Sequence, residues 1–516
     1  MVDVGAWMVV GATGAILALL IPFALHRLVL LRAALRGRRS LTPSSRLPDP
    51  LPRVTVQLPV YNEAGVVDRL LDAVRALDYP RDRLEIQLLD DSTDTTREHA
   101  ARRMAGLRAE GFHAEHLHRE NREGYKAGAL EAGRRQATGD FILILDADFV
   151  PGPRLIRDLL PPFADPTVGM VQARWDHLNE GEGLLTRCQA LLLDGHFFFE
   201  QGGRHAAGRF MSFNGTAGMW RRETLAGAGG WSADTLTEDL DISYRAQMAG
   251  WRFVFLPEVG VPAELPSTVR GLETQQQRWA QGGVQTGRKL LGRLWRGDWP
   301  LGIRVEGTIH LLGHLAHPLT VALGVLLLPS AVARRWLGLD GLLLLDLVIF
   351  ASATLSFLVF YLAAGRMRGR PARRLVPDAI AALVLGVGLT AAVSRSVLRG
   401  LRGGEGDPFV RTPKTGRVDG AASVESGREG VRYRARPGVV EQRIKVALTL
   451  WMAASVAVAL LLGIHGTLPL LLLFGTGWGW LAWRGTDPEP GLPGSRAIFR
   501  KWMPLPYPAS QPSSPP

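Results

Sequence analysis

Residues 141–148, Phe-Ile-Leu-Ile-Leu-Asp-Ala-Asp, join a short apolar run to two carboxylates at its end. An apolar run of this length, bounded by polar residues, predicts a buried β-strand. Two earlier segments have the same form: Val54–Val60 precedes Tyr61-Asn62-Glu63, and Ile86–Leu89 precedes Asp90-Asp91. The chain therefore repeats a pattern in which a buried strand ends at polar or acidic residues.

Helical patterns separate these strands, as in Gly65–Leu77 and Thr95–Ala109. Strands that alternate with helices predict an α/β domain with a mostly parallel, Rossmann-like sheet, which we place at residues 50–300. Ligands of such sheets bind beyond the carboxyl ends of the strands, where all three polar clusters are expected. The sequence has no G-x-G-x-x-G or Walker A motif, which argues against a dinucleotide or P-loop site.

The basic residues are concentrated beside apolar segments. Lys and Arg number 60 against 48 Asp and Glu, a net charge of +12, and the excess is visible in His26–Arg39 and Arg366–Arg374. This distribution is typical of the cytoplasmic flanks of membrane spans, so we expect a lipid bilayer and no nucleic acid as partner. Cys188 is the single cysteine, which excludes an internal disulfide and a cysteine-based metal cluster.

Uncharged runs of span length flank the α/β domain and predict an α-helical multi-pass membrane domain. The first lies in residues 1–29, and the arginines after it place the following residues in the cytoplasm. Within the membrane domain, 301–484, we expect spans at about 307–333, 345–365, 446–464 and 467–483. The protein is thus expected in the cell membrane, with the α/β domain on the cytoplasmic side.

One apolar run, Ala379–Ser394, has only about 16 residues and basic or acidic residues at both ends. Its length and flanks favour an amphipathic helix, 379–394, in the membrane interface over a fifth span of the membrane domain. The basic loop 399–445 then stays cytoplasmic. The tail 485–516 is rich in Pro and Ser, which predicts disorder.

Asp146 and Asp148 are candidates for a metal site, because carboxylates two residues apart at a strand end can both reach one Mg²⁺ or Mn²⁺. The alternative is a solvated turn. Asp91 could accept a hydrogen bond from a nucleobase or ribose, although acids at this place also suit a helix N-terminus. Lys126 could approach phosphate oxygens, or it could simply be exposed.

A second acidic cluster, Thr237–Asp241, opens a predicted helix. Asp239 could act as a general base toward an attacking hydroxyl. The alternative is purely structural, since Thr235 and Glu238 have the spacing of a capping box. Further on, Arg278 could pair with phosphate and Trp279 could stack on a sugar, or both could belong to an amphipathic helix near the membrane.

The motifs P-x-Y-N-E, D-D-S, D-A-D, T-E-D and Q-x-x-R-W occur in that order over about 220 residues. This order and spacing resemble the cellulose-synthase-like members of glycosyltransferase family 2, in particular plant mannan and xyloglucan-backbone synthases and their bacterial relatives. The resemblance implies a GT-A-type fold, an Mg²⁺ or Mn²⁺ cofactor, a nucleotide-sugar donor, and inversion of the anomeric carbon by a single displacement.

The resemblance also implies residue roles. Asp239 would be the catalytic base, and Asp146 and Asp148 would serve the metal and the diphosphate. Donor binding would involve Pro59, Tyr61, Glu63, Asp91, Lys126, Asp146, Gln275, Arg278 and Trp279. Acceptor binding would involve Phe213, Asn214, Gly215, Thr216, Glu238 and Trp279. Residues 409–414 resemble the F-x-V-T-x-K gating loop of cellulose synthases at Phe409, Thr412 and Lys414, with Arg411 in place of Val.

Several functions stay open at this point. The acceptor could be a growing β-glycan, or a membrane lipid such as diacylglycerol if the enzyme is not processive. UDP-glucose and GDP-mannose both fit the donor role. A protein of another class, a non-catalytic membrane scaffold or transporter, would carry the same spans without turnover.

Overall fold

A seven-stranded sheet forms the centre of the α/β domain. The structure, a computed structural model, describes residues 2–37, 46–339, 341–403 and 439–485. The strands are β1 (Val54–Val60), β2 (Leu84–Asp90), β3 (His113–His118), β4 (Phe141–Ile144), β5 (Val168–His177), β6 (Gly218–Arg221) and β7 (Arg252–Ala263). They are arranged in the order β3-β2-β1-β4-β6-β5-β7.

Six of the seven strands point in the same direction. β1 pairs in parallel with β2 and β4, β2 pairs in parallel with β3, and β5 pairs in parallel with β7. β6 is antiparallel to both of its neighbours, β4 and β5. The predicted mostly parallel α/β sheet is therefore confirmed, and the beginning of β6 lies at the same edge as the carboxyl ends of the other strands.

Sixteen α-helices surround and follow the sheet within the described ranges. Those of the first half are α1 (Val2–Gly37), α2 (Val67–Arg75), α3 (Thr96–Ala109), α4 (Tyr125–Gln136), α5 (Leu155–Leu159), α6 (Leu184–Gly195), α7 (Gly202–Ala206), α8 (Arg222–Gly227) and α9 (Glu238–Met248). The remainder are α10 (Val269–Arg296), α11 (Leu301–Leu312), α12 (Ala316–Trp336), α13 (Gly341–Met367), α14 (Ala372–Arg402), α15 (Val439–Leu461) and α16 (Leu468–Arg484). A π-helical segment, His196–Gln201, joins α6 to α7.

The central strands are buried on both faces, as expected for a parallel sheet that is covered by helices. Every residue of β2 and β4 is buried. One apolar cluster packs α2 and α3 against one face of the sheet, and a second cluster around Trp220 packs α4 and α9 against the other face. This burial fixes the strand ends, and with them the polar residues that follow each strand.

Five helical segments are long and apolar enough to cross a membrane, by length and composition, among the described residues: Val4–Gly37, Leu301–Trp336, Leu347–Met367, Ala372–Arg402 and Val439–Leu461. The second of them, expected as one span at 307–333, is interrupted by a 3₁₀ turn at Gly313–Leu315. The run expected as spans 446–464 and 467–483 forms α15 and α16, joined by a 3₁₀ turn at His465–Thr467.

The run expected as an interfacial helix, 379–394, lies within the 31-residue helix α14, which is long enough to span a bilayer. More than half of the most apolar 18-residue stretch of this helix is buried against other parts of the chain. The interfacial placement stays a prediction. The gating-like residues 409–414 and the tail beyond 485 lie outside the described residues.

The membrane-side helices contact the α/β domain directly. The side chain of Gln277 on α10 donates a hydrogen bond to the carbonyl of Ala392 on α14 at 3.0 Å. Lys445 on α15 donates to Glu273 at 2.8 Å, and both side chains are largely buried. Helix α10, which carries the Q-x-x-R-W motif, therefore lies between the cleft and the apolar helices.

Candidate active site

A cleft opens at the carboxyl edge of the sheet. It encloses about 1320 Å³, including space that is open to solvent. The cleft is lined by the ends of β1, β2, β4, β5 and β7, by the turn before β6 and by the first residues of α9. Most of the predicted site residues line it: Pro59, Tyr61, Glu63, Asp91, Lys126, Asp146, Asp148, Asn214, Gly215, Glu238, Asp239, Gln275, Arg278 and Trp279.

Asp146 and Asp148 lie in the turn that follows β4. Asp146 is partly exposed, whereas Asp148 is 3% exposed and lines the cleft. The backbone N–H of Asp146 donates to Oγ1 of Thr216 at 2.9 Å, which ties this turn to the segment before β6. The two carboxylates are therefore held on a fixed loop at the edge of the sheet.

Lys126 reaches this loop from the first turn of α4. Its Nζ donates to Oδ1 of Asp146 at 2.5 Å and to the carbonyl of Gly215 at 2.9 Å. Burial by itself would lower the pKa of Lys126, but the carboxylates of Asp146 and Glu238 raise it. Lys126 is therefore a fixed cation in the cleft, and the alternative of an unpaired surface lysine is excluded.

Asp239 lies in the first turn of α9, opposite Lys126 and close to Gly215. A methyl group placed on Gly215 would lie 3.0 Å from Oδ2 of Asp239 and 3.6 Å from Nζ of Lys126. Gly215 also has a φ of +83°, a conformation that favours glycine. A side chain at position 215 would therefore fill the space in front of the carboxylate.

Burial and the neighbouring charge of Glu238 together raise the pKa of Asp239 to about 7, although the charge of Lys126 opposes this shift. The backbone N–H of Leu240 donates to Oδ1 at 2.8 Å, which leaves Oδ2 directed toward Gly215. A carboxylate with a pKa near neutrality is suited to accept a proton from a hydroxyl group.

The capping-box alternative for this segment is wrong. Helix α9 begins at Glu238 after Thr237, whose side chain shares a hydrogen bond with Thr286 of α10 at 3.1 Å instead of capping its own helix. Thr235 is buried outside the helix. Of the acidic side chains of this first turn, Glu238 and Asp239 line the cleft, in addition to any stabilisation of the helix N-terminus. Asp241 is instead buried and pairs with Arg245.

The Q-x-x-R-W motif lies on the first half of α10, and all three of its named side chains line the cleft. Burial lowers the pKa of Arg278, while Glu238 and Asp146 oppose the shift. A guanidinium stays protonated in proteins, so Arg278 adds a second cation beside the acids. The ring of Trp279 lies 6.4 Å from that of Trp175 at the end of β5, and together they form an aromatic wall.

The opposite end of the cleft carries Asp91 and Tyr61. Arg119 donates to both oxygens of Asp91, at 2.8 and 2.6 Å, which fixes the carboxylate. The guanidinium of Arg122 lies 3.4 Å from the ring centroid of Tyr61. A planar base could be held here between a fixed carboxylate and a stacked ring.

Two predicted acceptor residues do not line the cleft. Phe213 is fully buried and packs edge-on against Trp220, with the ring centroids 5.4 Å apart. Thr216 is 1% exposed and accepts the hydrogen bond from Asp146 described above. Both side chains support the turn from behind, so that Asn214 and Gly215 form the surface that a ligand can touch.

Mg²⁺ or Mn²⁺ fits the chemistry of Asp146 and Asp148, because hard cations prefer carboxylate oxygens. Among the described residues no group of three or more His, Cys, Asp or Glu side chains could hold a metal ion. A cation at this pair would therefore complete its coordination with oxygens from water or from a bound diphosphate.

Sequence reasoning missed several polar residues of the site. Arg119 and Arg122 hold Asp91 and Tyr61, and Gln172, in the middle of β5, accepts the backbone N–H of Asn214 at 3.1 Å. A signal existed for Gln172, since an amide inside the apolar run Val171–Ala173 must find buried partners. No local signal marks the two arginines, which reach their partners from a neighbouring loop.

Residues 52–282 match the family described as glycosyltransferase-like family 2. The chain is 38% identical over 293 residues to glucomannan 4-beta-mannosyltransferase 1 of Oryza sativa subsp. japonica, which is 54% of this chain and 56% of the relative. It is 40% identical over 250 residues to glucomannan 4-beta-mannosyltransferase 2 of Arabidopsis thaliana, covering 48% and 47%. The chain spans about half the length of the curated relatives it matches.

The chain is also similar to a solved structure of the mannosyltransferase PcManGT from Pyrobaculum calidifontis in complex with GDP-Man and Mn²⁺. The TM-score is 0.49 and the identity 25%, over 75% of this chain and 99% of the other. The relatives in sequence confirm the resemblance inferred from the order of the motifs. All seven strands of the sheet lie within residues 52–282, the part of the chain that matches the glycosyltransferase-like family 2.

Proposed function

We propose that this protein is a membrane-integral, inverting hexosyltransferase that transfers mannose from a nucleotide sugar to the end of a β-glycan. One observation carries the proposal: a partly buried carboxylate with a pKa near 7, Asp239, lies across a single cleft from two cations and from the Asp146–Asp148 pair. An acid–base group beside a cationic phosphate site is what a single displacement at a sugar nucleotide requires.

In the proposed reaction, Asp239 takes the proton of an acceptor hydroxyl while the oxygen of that hydroxyl attacks the anomeric carbon. The bond to the diphosphate breaks in the same step, and Lys126 and Arg278 stabilise the charge of the departing group. A divalent cation held by Asp146 and Asp148 would offset the remaining charge on the diphosphate. A single displacement inverts the anomer, so an α-linked donor gives a β-linked product.

The choice of mannose rests on the similarity to the glucomannan 4-beta-mannosyltransferases. GDP-mannose is therefore the proposed donor, with UDP-glucose as the alternative to be tested. The guanine or uracil base would lie at the Tyr61 and Asp91 end of the cleft. The apolar helices beside α10 support a membrane protein. The arginines that follow the first span support an α/β domain that faces the cytoplasm, where nucleotide sugars are available.

The test uses the full chain, purified in detergent, with labelled GDP-mannose or UDP-glucose and a β-manno- or gluco-oligosaccharide as acceptor. We expect β-linked label on the oligosaccharide from GDP-mannose, with little from UDP-glucose. Extraction with organic solvent separates a lipid product, and label found only there would overturn the glycan acceptor. Absence of turnover with every donor, from protein that binds nucleotide, would favour a non-catalytic role.

Asp239→Asn tests the assignment of the base. Since general-base catalysis contributes about 10²–10⁴-fold, transfer should fall by at least about 100-fold, while GDP binding measured by calorimetry changes little. Asp82→Asn is the matched control, because Asp82 is an exposed acid away from the cleft. Retained turnover in Asp239→Asn would refute the role of Asp239.

A further inference from the structure

The side-chain amide of Asn214 is held at both ends by the π-helical segment His196–Gln201. Nε2 of Gln201 donates to the carbonyl of Ser212 at 2.5 Å and to Oδ1 of Asn214 at 2.6 Å. A backbone carbonyl can only accept, so the NH₂ group of Gln201 must be the side that faces both partners. The oxygen of the Asn214 amide is therefore directed toward Gln201, and its NH₂ group points the other way.

This orientation determines the protonation of His196. Nδ2 of Asn214 lies 2.9 Å from Nε2 of His196. Since the NH₂ group is a donor, Nε2 of His196 must offer its lone pair, and the imidazole proton must be on Nδ1. Nδ1 lies 2.9 Å from Oε2 of Glu200, which accepts that proton's hydrogen bond. The hydrogen bonds of this chain therefore all run in one direction, with Gln201 as the first donor and Glu200 as the last acceptor.

Glu200 remains a carboxylate in this arrangement. Burial would raise its pKa, but the hydrogen bond from His196 and the positive charge of Arg204 lower it below the ordinary range. An ionised Glu200 favours the tautomer of His196 that carries its proton on Nδ1. That tautomer is the one that leaves Nε2 able to accept from Asn214.

The π-helical geometry makes the double contact possible. In an α-helix, with 3.6 residues per turn, residues five apart point about 140° away from each other. The wider π turn, with its i→i+5 hydrogen bonds, brings residues five apart onto the same side of the helix. His196 and Gln201 are five apart, and both reach Asn214.

Asn214 itself lines the cleft and precedes Gly215, the residue in front of Asp239. Its backbone N–H donates to Gln172 at 3.1 Å. Its side-chain NH₂ group has two hydrogens, of which His196 accepts one. Within the described part of the chain the second has no protein partner, so it is available to an oxygen atom in the cleft.

We propose that His196 is a positioning residue for the acceptor sugar. As a neutral imidazole it accepts one N–H of Asn214 and so aims the second N–H at a hydroxyl oxygen of the acceptor, beside the hydroxyl that Asp239 deprotonates. The proposal rests on the proposed function and adds to it the group that orients the acceptor. His196 acts through Asn214 and takes no part in the transfer itself.

Two substitutions of His196 separate its two hydrogen bonds. His196→Gln places a side-chain oxygen near the position of Nε2 and can still accept from Asn214, but it loses the donor to Glu200. His196→Asn places its amide near the position of Nδ1, keeps a partner for Glu200, and no longer reaches Asn214. Transfer is measured against acceptor concentration at saturating donor, and GDP binding by calorimetry checks the fold.

We expect His196→Asn to raise the KM for the acceptor at least 10-fold with kcat within threefold of the wild type, and His196→Gln to keep both within threefold. His196→Asn added to Asn214→Ala should raise the KM no further than Asn214→Ala alone, since both act through one contact. Equal losses in the two His196 variants, an unchanged KM in His196→Asn, or additive effects would overturn the proposal.

Retained GDP binding distinguishes these outcomes from misfolding. Should His196→Asn fail to bind GDP, Glu200→Gln is the second variant, because it weakens the preference for the Nδ1 proton. It should then raise the acceptor KM about threefold with kcat unchanged, and an unchanged KM would count against the proposal. Absence of transfer by the wild-type protein would instead refute the proposed function.

Discussion

Nζ of Lys126 lies 2.5 Å from Oδ1 of Asp146, so a cation of the protein already pairs with one of the two acids assigned to the metal. The same ammonium group also donates to the carbonyl of Gly215, next to the candidate base. Lys126 therefore joins the end of the cleft proposed to bind phosphate to the end where proton transfer would occur.

Lys126→Met should weaken donor binding and change the pH profile together. Loss of a charged hydrogen bond costs about 1.5–3 kcal/mol, so we expect the KM for the donor to rise about 10- to 100-fold. The pKa of Asp239 should rise as well, since Lys126 lowers it. Initial rates against donor concentration, measured from pH 5.5 to 9, check both effects.

The matched control for this variant is Arg135→Met, which removes a cation from the exposed face of the same helix. The control should leave both the donor KM and the pH profile unchanged. A normal donor KM in Lys126→Met would contradict a contact between Lys126 and phosphate.

The plot of kcat/KM against pH should have an ascending limb near pH 7. Asp239 must be ionised to accept a proton, and burial together with the charge of Glu238 raises its pKa to about 7, so kcat/KM should rise with pH and level off above about 7. Glu238→Gln should move this limb to lower pH, because the charge of Glu238 contributes to the raised pKa. A limb that stays in place in Glu238→Gln would mean that another group titrates.

The cation should bind together with the diphosphate. Because Asp146 and Asp148 supply only two carboxylates, we expect Mn²⁺ to bind weakly to the protein alone and at least 10-fold more tightly with GDP present. Titration followed by electron paramagnetic resonance measures this binding without turnover. Asp148→Asn should remove the enhancement, and Asp82→Asn should not.

Chelation offers an independent check of the same prediction. Transfer should vanish in EDTA and return with Mg²⁺ or Mn²⁺. Full activity in chelator would separate Asp146 and Asp148 from any metal.

Arg204 and Glu306 form a buried ion pair between the α/β domain and α11. Nε of Arg204 lies 2.7 Å from Oε1 of Glu306, and the side chains are 3% and 8% exposed. Arg204→Met leaves the buried carboxylate poorly compensated and should cost about 3–5 kcal/mol of unfolding free energy. Arg204→Met combined with Glu306→Gln should be less destabilised, and denaturant unfolding in detergent, with Arg135→Met as control, measures both.

The sequence predicted those strands that are marked by an apolar run with polar residues at its end. The run Val54–Val60 is β1 as expected, and the run that begins at Phe141 is β4, because apolar runs that end at turn-forming polar residues can be buried only as strands here. The four-residue strand β6 was not predicted, since so short a strand exists only through its pairing with β4 and β5. The π-helical segment His196–Gln201 likewise has no local sequence signature.

The sequence by itself determined the chemistry that is available at the cleft: the acids after β4, the acid at the start of α9, and the arginine and tryptophan of α10. Only the tertiary structure decided how these groups act on each other. The pairing of Lys126 with Asp146, the burial that raises the pKa of Asp239 and the contact that fixes the tautomer of His196 all arise between separate segments of the chain. Charge interactions, burial and hydrogen-bond direction depend on distances in space, which local residue patterns do not encode.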